Sequence, residues 1–354
     1  MRISREAAFW LVGALLLFGV LWLLREVLLP FVLGMTLAYL LDPVADRLER
    51  LGLSRTLATT AILAAFFAVV VIGLLLLYPV LARQIAGLVR RLPELIDQAR
   101  DRVLPFINSL LEQVGVSGIE QVQAAASGQA EKAVQFAVGF LGGLITSGAA
   151  IINALSVIVI TPVVAFYMIR DWDRLVRLVD DWLPRRHYDV LRAQLLEIDR
   201  VLAGFVRGQL TVCAILGAFY AVGLSAIGLE FGLVIGVLSG VLSIIPYVGT
   251  FVGFLATAAI ALIQFWNEPW WIAAALGIFG LGQFLEGNVI TPKLVGEKVG
   301  LHPVWLMFAL VAFGTLFGFV GVLLAVPAAA VIGVLVRFGL GRYRLSPFYL
   351  GEDS

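Results

Sequence analysis

Apolar residues along this chain come in long unbroken runs, separated by short polar connections. Ten apolar segments can be drawn, at 7–24, 27–41, 57–81, 146–170, 209–227, 231–245, 249–266, 270–287, 304–318 and 319–336. A helix that crosses a bilayer needs about 20 such residues, within roughly 17 to 25. Segments 27–41, 231–245, 304–318 and, less so, 319–336 fall short of that length, so they read as half-spans or as arms of re-entrant hairpins. The pattern predicts an all-α polytopic membrane protein with about eight transmembrane helices. A transmembrane barrel is excluded because its strands alternate polar and apolar residues.

Two stretches break the pattern. Residues 82–135 carry Ile85, Leu88, Leu92, Leu95 and Ile96 at helical spacing with arginines between them. That is the signature of amphipathic helix, and Pro93 and Pro105 are expected to divide it into short pieces, with a loop at Gly115–Gly118. In residues 171–206, Leu191, Leu195, Ile198, Leu202 and Phe205 share one helical face, while Arg192, Asp199 and Arg200 lie off it. Such a helix can lie on the membrane, pack on the bundle or pair between subunits, and a solvated face with ordinary packing is an equally weighted alternative. The expected organisation is N-terminal membrane helices over 1–81, an extracytoplasmic helical segment over 82–145 and a membrane helix over 146–170. Cytoplasmic amphipathic helices follow over 171–208, then a membrane bundle over 209–336 and a tail over 337–354.

Composition agrees with this class. The chain of 354 residues is 61% hydrophobic and 14% charged, where a soluble domain carries about 25% charged residues. The net charge of +1 implies no bulk attraction to nucleic acid. One cysteine, Cys213, allows no disulfide within a chain, and two histidines leave no His-rich metal site. No cofactor is expected. The start, MRISREAAFW, resembles the basic end of a signal peptide, but no small-residue cleavage pattern follows Leu16, so it reads as a retained first span.

Basic residues fix the expected orientation. Segments 1–6, 42–56, 170–208, 288–303 and 337–354 hold 18 of the 25 lysines and arginines, and the connections 228–230 and 267–269 hold none. Both termini are therefore predicted to be cytoplasmic. The six basic residues within 82–145 do not contradict this, because long loops translocate largely regardless of charge.

Candidate chemistry lies where polar groups interrupt the apolar runs. In QFLEGNVITPK, residues 283–293, Gln283 and Glu286 share a helical face, and Asn288, Thr291 and Pro292 follow. Amide, carboxylate and hydroxyl groups there can ligate a small cation or hydrogen-bond a polar solute. Desolvation favours the neutral form of a carboxyl, which makes Glu286 a candidate for proton exchange. The plainer alternative, at even weight, is a wet helix end paired with Lys293 or Lys298. In SIIPYVG, Ser243, Pro246 and Gly249 mark a hinge or broken helix, a feature that in transporters often lies near a substrate but that also makes an ordinary tight turn. Gly228, Gly232, Gly236 and Gly240 form a four-residue stripe that favours close helix packing over any transport role. Pro162 is expected to kink segment 146–170, with Thr161 available to the freed backbone. Asp42, Arg170, Asp171, Arg207 and Gln209 lie at apolar-to-polar borders and are expected to form a polar network at the cytoplasmic helix ends, or simply to snorkel. No G-x-S-x-G elbow, H-E-x-x-H or P-loop occurs, so an enzyme is not expected.

Four blocks carry a family resemblance: PFVLGMTLAYLLDPVADRLER (30–50), TPVVAFYMIRDWDRL (161–175), IPYVGTFVG (245–253) and the long block GNVITPKLVGEKVGLHPVWLMFALVAFGTLFGFVGVLLAVPAAAVIGVL (287–335). In this order they resemble the autoinducer-2 exporter family, the PerM-like permeases, over nearly the whole chain. The resemblance implies a bacterial inner-membrane transporter with about eight spans, cytoplasmic ends and a homo-oligomeric, pentameric assembly. Members have been linked to export of autoinducer-2 and to sodium(lithium)/proton antiport. One departure is Ser243, where many members carry Asn or Glu before IPYVG.

The leading expectation is a secondary transporter that moves a small polar solute or cation by alternating access, lined by Glu286, Gln283 and Asn288. The alternatives are a sodium/proton antiporter using Glu286, a passive channel, and a non-transporting scaffold that recruits partners through residues 188–206. A scaffold has no need of Gln283, Glu286, Asn288 and Asp42. Membrane lipid is expected around all of them.

Overall fold

The computed structural model describes residues 12–13, 16, 18–113, 148–294 and 302–351. Regular structure among them is helical throughout. The helices are α1 (Leu28–Arg50), α2 (Arg55–Gln113), α3 (Gly148–Trp182), α4 (Tyr188–Ala226), α5 (Gly232–Leu242), α6 (Val248–Gln264), α7 (Pro269–Leu285), α8 (Thr291–Leu294), α9 (Pro303–Arg344) and α10 (Pro347–Leu350). Among the described residues, five helices are long and apolar enough to cross a membrane. Helices α5 and α6 are apolar but short, at 11 and 17 residues. They are about 16 and 25 Å long, against about 30 Å of hydrocarbon. The protein is an all-α polytopic membrane protein.

Helix α2 corrects one expectation. Instead of breaking at Pro93 and Pro105, the helix runs through both to Gln113. A proline removes one backbone hydrogen bond, but it stands here in a 59-residue helix whose neighbouring Leu, Arg, Glu and Gln residues are good helix formers. The boundary expected between 81 and 82 falls inside this helix, and the loop expected at Gly115–Gly118 lies outside the described residues.

The chain divides into two compact units. The first is Met1–Ala68, Ser156–Thr211 and Ile290–Ser354. Its core joins Ala38, Leu41 and Ala45 of α1 to Ile62 and Leu63 of α2 and to Ala165 and Ile169 of α3. Small residues let these helices close up, and Gly34 faces Val164 where a Cβ would clash. Pro162 does not interrupt α3, and the Thr161 hydroxyl donates across to the Pro30 carbonyl (3.3 Å) rather than within its own helix. The apolar face expected on 188–206 packs on the bundle at its second half. Ile198 and Val201 meet Ala330 and Val334 of α9, and Phe205 is buried.

Helix α9 is a hairpin rather than one rod. Gly318 has φ +63° and ψ −140°, a conformation that only glycine adopts readily. Ala309 then packs on Ala325 and Ala329. In a straight helix, residues 309 and 325 would lie about 24 Å apart. Segments 304–318 and 319–336, short as spans, are its two arms. Near the bend, Phe18 meets Phe317 edge-on, and Arg25 donates to the Leu316 carbonyl.

The second unit is Val69–Leu155 and Val212–Val289. Here the glycine stripe acts in packing. A Cβ on Gly232 would strike the backbone of Leu224, one on Gly236 that of Ala221, and one on Gly240 that of Gly217. Helices α4 and α5 therefore touch backbone to backbone. Gly228 takes a positive φ of 72° in the turn before α5. Between α5 and α6, residues 243–247 form the break expected at Pro246, with Tyr247 in the left-handed region (φ +69°). Gly249 follows against the Ser243 backbone, where no Cβ fits.

Candidate functional site

In the second unit, the stretch that ends α7 brings polar side chains together inside an apolar bundle. At Glu286–Ile290 the helix widens into a π-type turn, a local expansion frequent at functional sites. Gln283, on the last regular turn, is the hub. Its amide NH₂ donates to the Tyr220 hydroxyl of α4 (3.0 Å) and to the Glu286 carboxylate (2.9 Å). Its carbonyl accepts from the Thr250 hydroxyl of α6 (3.2 Å). Three helices thus converge on one half-buried amide, whose NH₂ makes two hydrogen bonds and whose carbonyl accepts one.

Packing fixes the parts. Tyr220 is buried and stacks on Phe279 with centroids 4.5 Å apart and planes 6° apart. A Cβ on Gly282 would overlap the Tyr220 ring, so glycine is what lets the ring reach Gln283. Asn288 is exposed and donates back to the Phe284 carbonyl (3.0 Å). Ser243 is buried, with its hydroxyl on the Ser239 carbonyl (2.8 Å). Thr291 and Pro292 open the short helix α8. Of the expected path residues, the structure joins Gln283 and Glu286 directly. It adds Tyr220 and Thr250, which the sequence reading did not single out. Thr250 stands inside the IPYVGTFVG block, and Tyr220 is a hydroxyl in an otherwise apolar span. Both signals were available, but neither identifies a partner about 30 to 60 residues away in sequence.

In the first unit, the polar residues at the helix borders resolve into separate contacts. Arg55 is the centre of the largest. It engages Asp42, Asp46 and Glu49 of α1, and its Nε donates to the Ile169 carbonyl of α3 (3.1 Å). An arginine at a helix start opposes the helix dipole, so anions must compensate it. Asp42, Asp46 and Glu49 are spaced four and three apart on one face, which is the signal that could have found this cluster. Arg170 pairs with its neighbour Asp171 (2.7 Å) and holds that carboxyl below its ordinary range through the hydrogen bond they share. Arg207 donates to the Tyr39 carbonyl (2.9 Å). A cavity of about 50 Å³ lies beside it, lined in part by Tyr39, Asp42, Trp172 and Asp199. Gln209 lies two residues beyond Arg207 on α4. No cluster of three His, Cys, Asp or Glu side chains suited to a metal occurs among the described residues.

Comparison with known proteins places these features in context. The model of the AI-2E family transporters matches residues 11–341. YrrI of Bacillus subtilis strain 168 is 30% identical over 91% of this chain and 89% of its own length. PerM of Escherichia coli strain K12 is 28% identical over 90% of this chain and 89% of its own. The AI-2 transport protein TqsA of the same strain is 24% identical over 88% of this chain and 86% of its own.

Proposed function

Given that the chain belongs to the AI-2E family of transporters, we propose that it moves a small polar solute of the autoinducer-2 kind across the bacterial inner membrane, with Gln283 at the centre of the solute site. The observation that carries this reading is the convergence of Tyr220, Thr250 and Glu286 on the Gln283 amide at a widened helical turn. Hydroxyl, amide and carboxyl groups recognise a hydroxylated solute by hydrogen bonds, and a solute can exchange with the bonds these groups make to one another. The name of TqsA, an AI-2 transport protein, supports this class of cargo. The distribution of basic residues supports an orientation with both termini in the cytoplasm. The working form in this reading is a homo-oligomer, pentameric by family resemblance, and crosslinking of the reconstituted protein counts its subunits.

Export of labelled autoinducer-2 from proteoliposomes tests the reading, with Glu286→Gln as the variant. The amide can still accept from Gln283, so the fold should persist. Transport should fall at least about tenfold, or about 1.4 kcal/mol in the barrier. A variant that matches the native protein from about pH 5.5 to about 8.5 removes Glu286 from the mechanism. Sodium-dependent proton movement with no autoinducer-2 flux would replace this reading with antiport.

A further inference from the structure

Helix α6 carries Thr250, Thr257 and Gln264 at intervals of seven residues. Seven residues are nearly two full turns, so the three side chains lie on one face over about 21 Å. Thr250 belongs to the Gln283 cluster at one end. At the other end Gln264 holds a turn with both halves of its amide, donating to the Gly228 carbonyl (2.8 Å) and accepting from the Glu230 N–H (2.7 Å). Glu230 pairs with Arg91 of α2. These residues border a cleft of about 290 Å³ whose walls include Arg91, Glu94, Gln98 and Glu230, with Ile260 and Gln264 of α6. That is close to the lower size of small-molecule sites.

Midway between the two ends, Thr257 is fully buried and its hydroxyl has no hydrogen-bond partner among the described residues. Six hydroxyls on helices of the described residues show the usual alternative. Thr59, Thr60, Thr211, Ser239, Ser243 and Thr315 all donate to the carbonyl four residues back. Leaving a buried hydroxyl unpaired is costly, and back-bonding would remove that cost. We propose, on the reading that the protein is a transporter, that the cleft is a second solute site and that the solute passes along this face of α6, meeting Thr257 on the way to Gln283. The cargo class follows from the middle of the path. One hydroxyl cannot replace the several oxygens that a hard cation requires, and an unpaired charge there would carry a large desolvation cost. The solute is therefore neutral and hydroxylated.

Two variants in reconstituted protein test the path. Thr257→Val keeps the shape and removes the hydroxyl. If Thr257 is a solute contact, export of labelled autoinducer-2 falls at least tenfold while thermal stability is unchanged or higher. Native export from Thr257→Val overturns the proposal. Thr257→Cys in a Cys213→Ala background reports on water directly. A small water-soluble methanethiosulfonate should modify it at least tenfold faster than Leu255→Cys, on an exposed apolar position of the same helix. Equal rates at the two positions overturn the path. If the native protein moves no autoinducer-2 but Thr257→Cys reacts rapidly, the cargo is refuted while a wet path is left in place. If the native protein exports it but Thr257→Cys reacts no faster than Leu255→Cys, the path is refuted while the transport reading is left in place.

Discussion

Gln283 and Tyr220 lie 63 residues apart in sequence and are joined by an amide-to-phenol hydrogen bond of 3.0 Å. The same amide serves Glu286 and Thr250, so its loss orphans three partners at once. Gln283→Leu is expected to lower stability by about 1–3 kcal/mol, the cost of an unsatisfied buried group, and to abolish solute flux. Tyr220→Phe retains the ring stack on Phe279, so it should cost only about 1 kcal/mol. Thermal unfolding in detergent separates the two, and equal losses would mean that the Gln283–Tyr220 hydrogen bond alone carries the contribution of the amide.

Arg55 offers a second test of unequal partners. Its side chain is 15% exposed, Asp42 is 23% exposed, and Asp46 and Glu49 are 44% and 47% exposed. Arg55→Met should destabilise by about 2–3 kcal/mol, below the 3–5 expected for a fully buried pair because solvent screens part of the charge. Glu49→Ala should cost under about 1 kcal/mol. Chemical denaturation of the two variants ranks them, and the reverse order would mean that the outer carboxylate, not Asp42, anchors the arginine.

The glycine seam provides its own control. Gly240→Ala places a Cβ against the Gly217 backbone, whereas a Cβ on Gly277 of α7 meets nothing within 4 Å. The first should cost about 1–3 kcal/mol by overpacking. The second should be neutral or slightly stabilising, since alanine is the better helix former. Folded yield and melting temperature read the difference.

At Gly318 the demand is on the backbone rather than on space, because nothing lies within 4 Å of a Cβ there. Gly318→Ala should nonetheless cost about 1–3 kcal/mol, because φ is positive and ψ lies far from the helical value. A melting temperature equal to native would show that the hairpin bends elsewhere.

Asp171 gives a pH signature. Its carboxyl is held below the ordinary range by Arg170, so the folded form binds the proton less readily than the unfolded chain. The pair's contribution is present above the unfolded value, about pH 3.9, and is lost as pH falls through the lower folded value. Asp171→Asn should therefore leave unfolding unchanged near neutrality except for a small constant offset, and should flatten the acid limb below about pH 4. An unaltered acid limb would remove Asp171 from the linkage.

Periodicity and length carried much of this architecture into the sequence. The breaks at Pro246 and between 304–318 and 319–336 were visible as apolar runs too short to span. The glycine stripe announced a close contact because a four-residue repeat puts Gly232, Gly236 and Gly240 on one face. Pro93 and Pro105 misled, since one lost hydrogen bond is a local cost and α2 is long. The site was legible only within a helical turn. Gln283 and Glu286 are neighbours by spacing, but Tyr220 and Thr250 reach them through packing of α4, α6 and α7. Packing partners leave no local signal. Arg55 is a partial exception, because the four-and-three spacing of Asp42, Asp46 and Glu49 marks an acidic face, although it does not say that an arginine of the next helix meets it.

The contact between Gly236 and Ala221 has a mechanical consequence. With main chain against main chain, α5 and the adjoining part of α4 have no side-chain layer between them to slide or reshape. They must travel as one rigid body. Any opening of the second unit must then occur at a softer boundary, where flexible side chains rather than peptide planes meet.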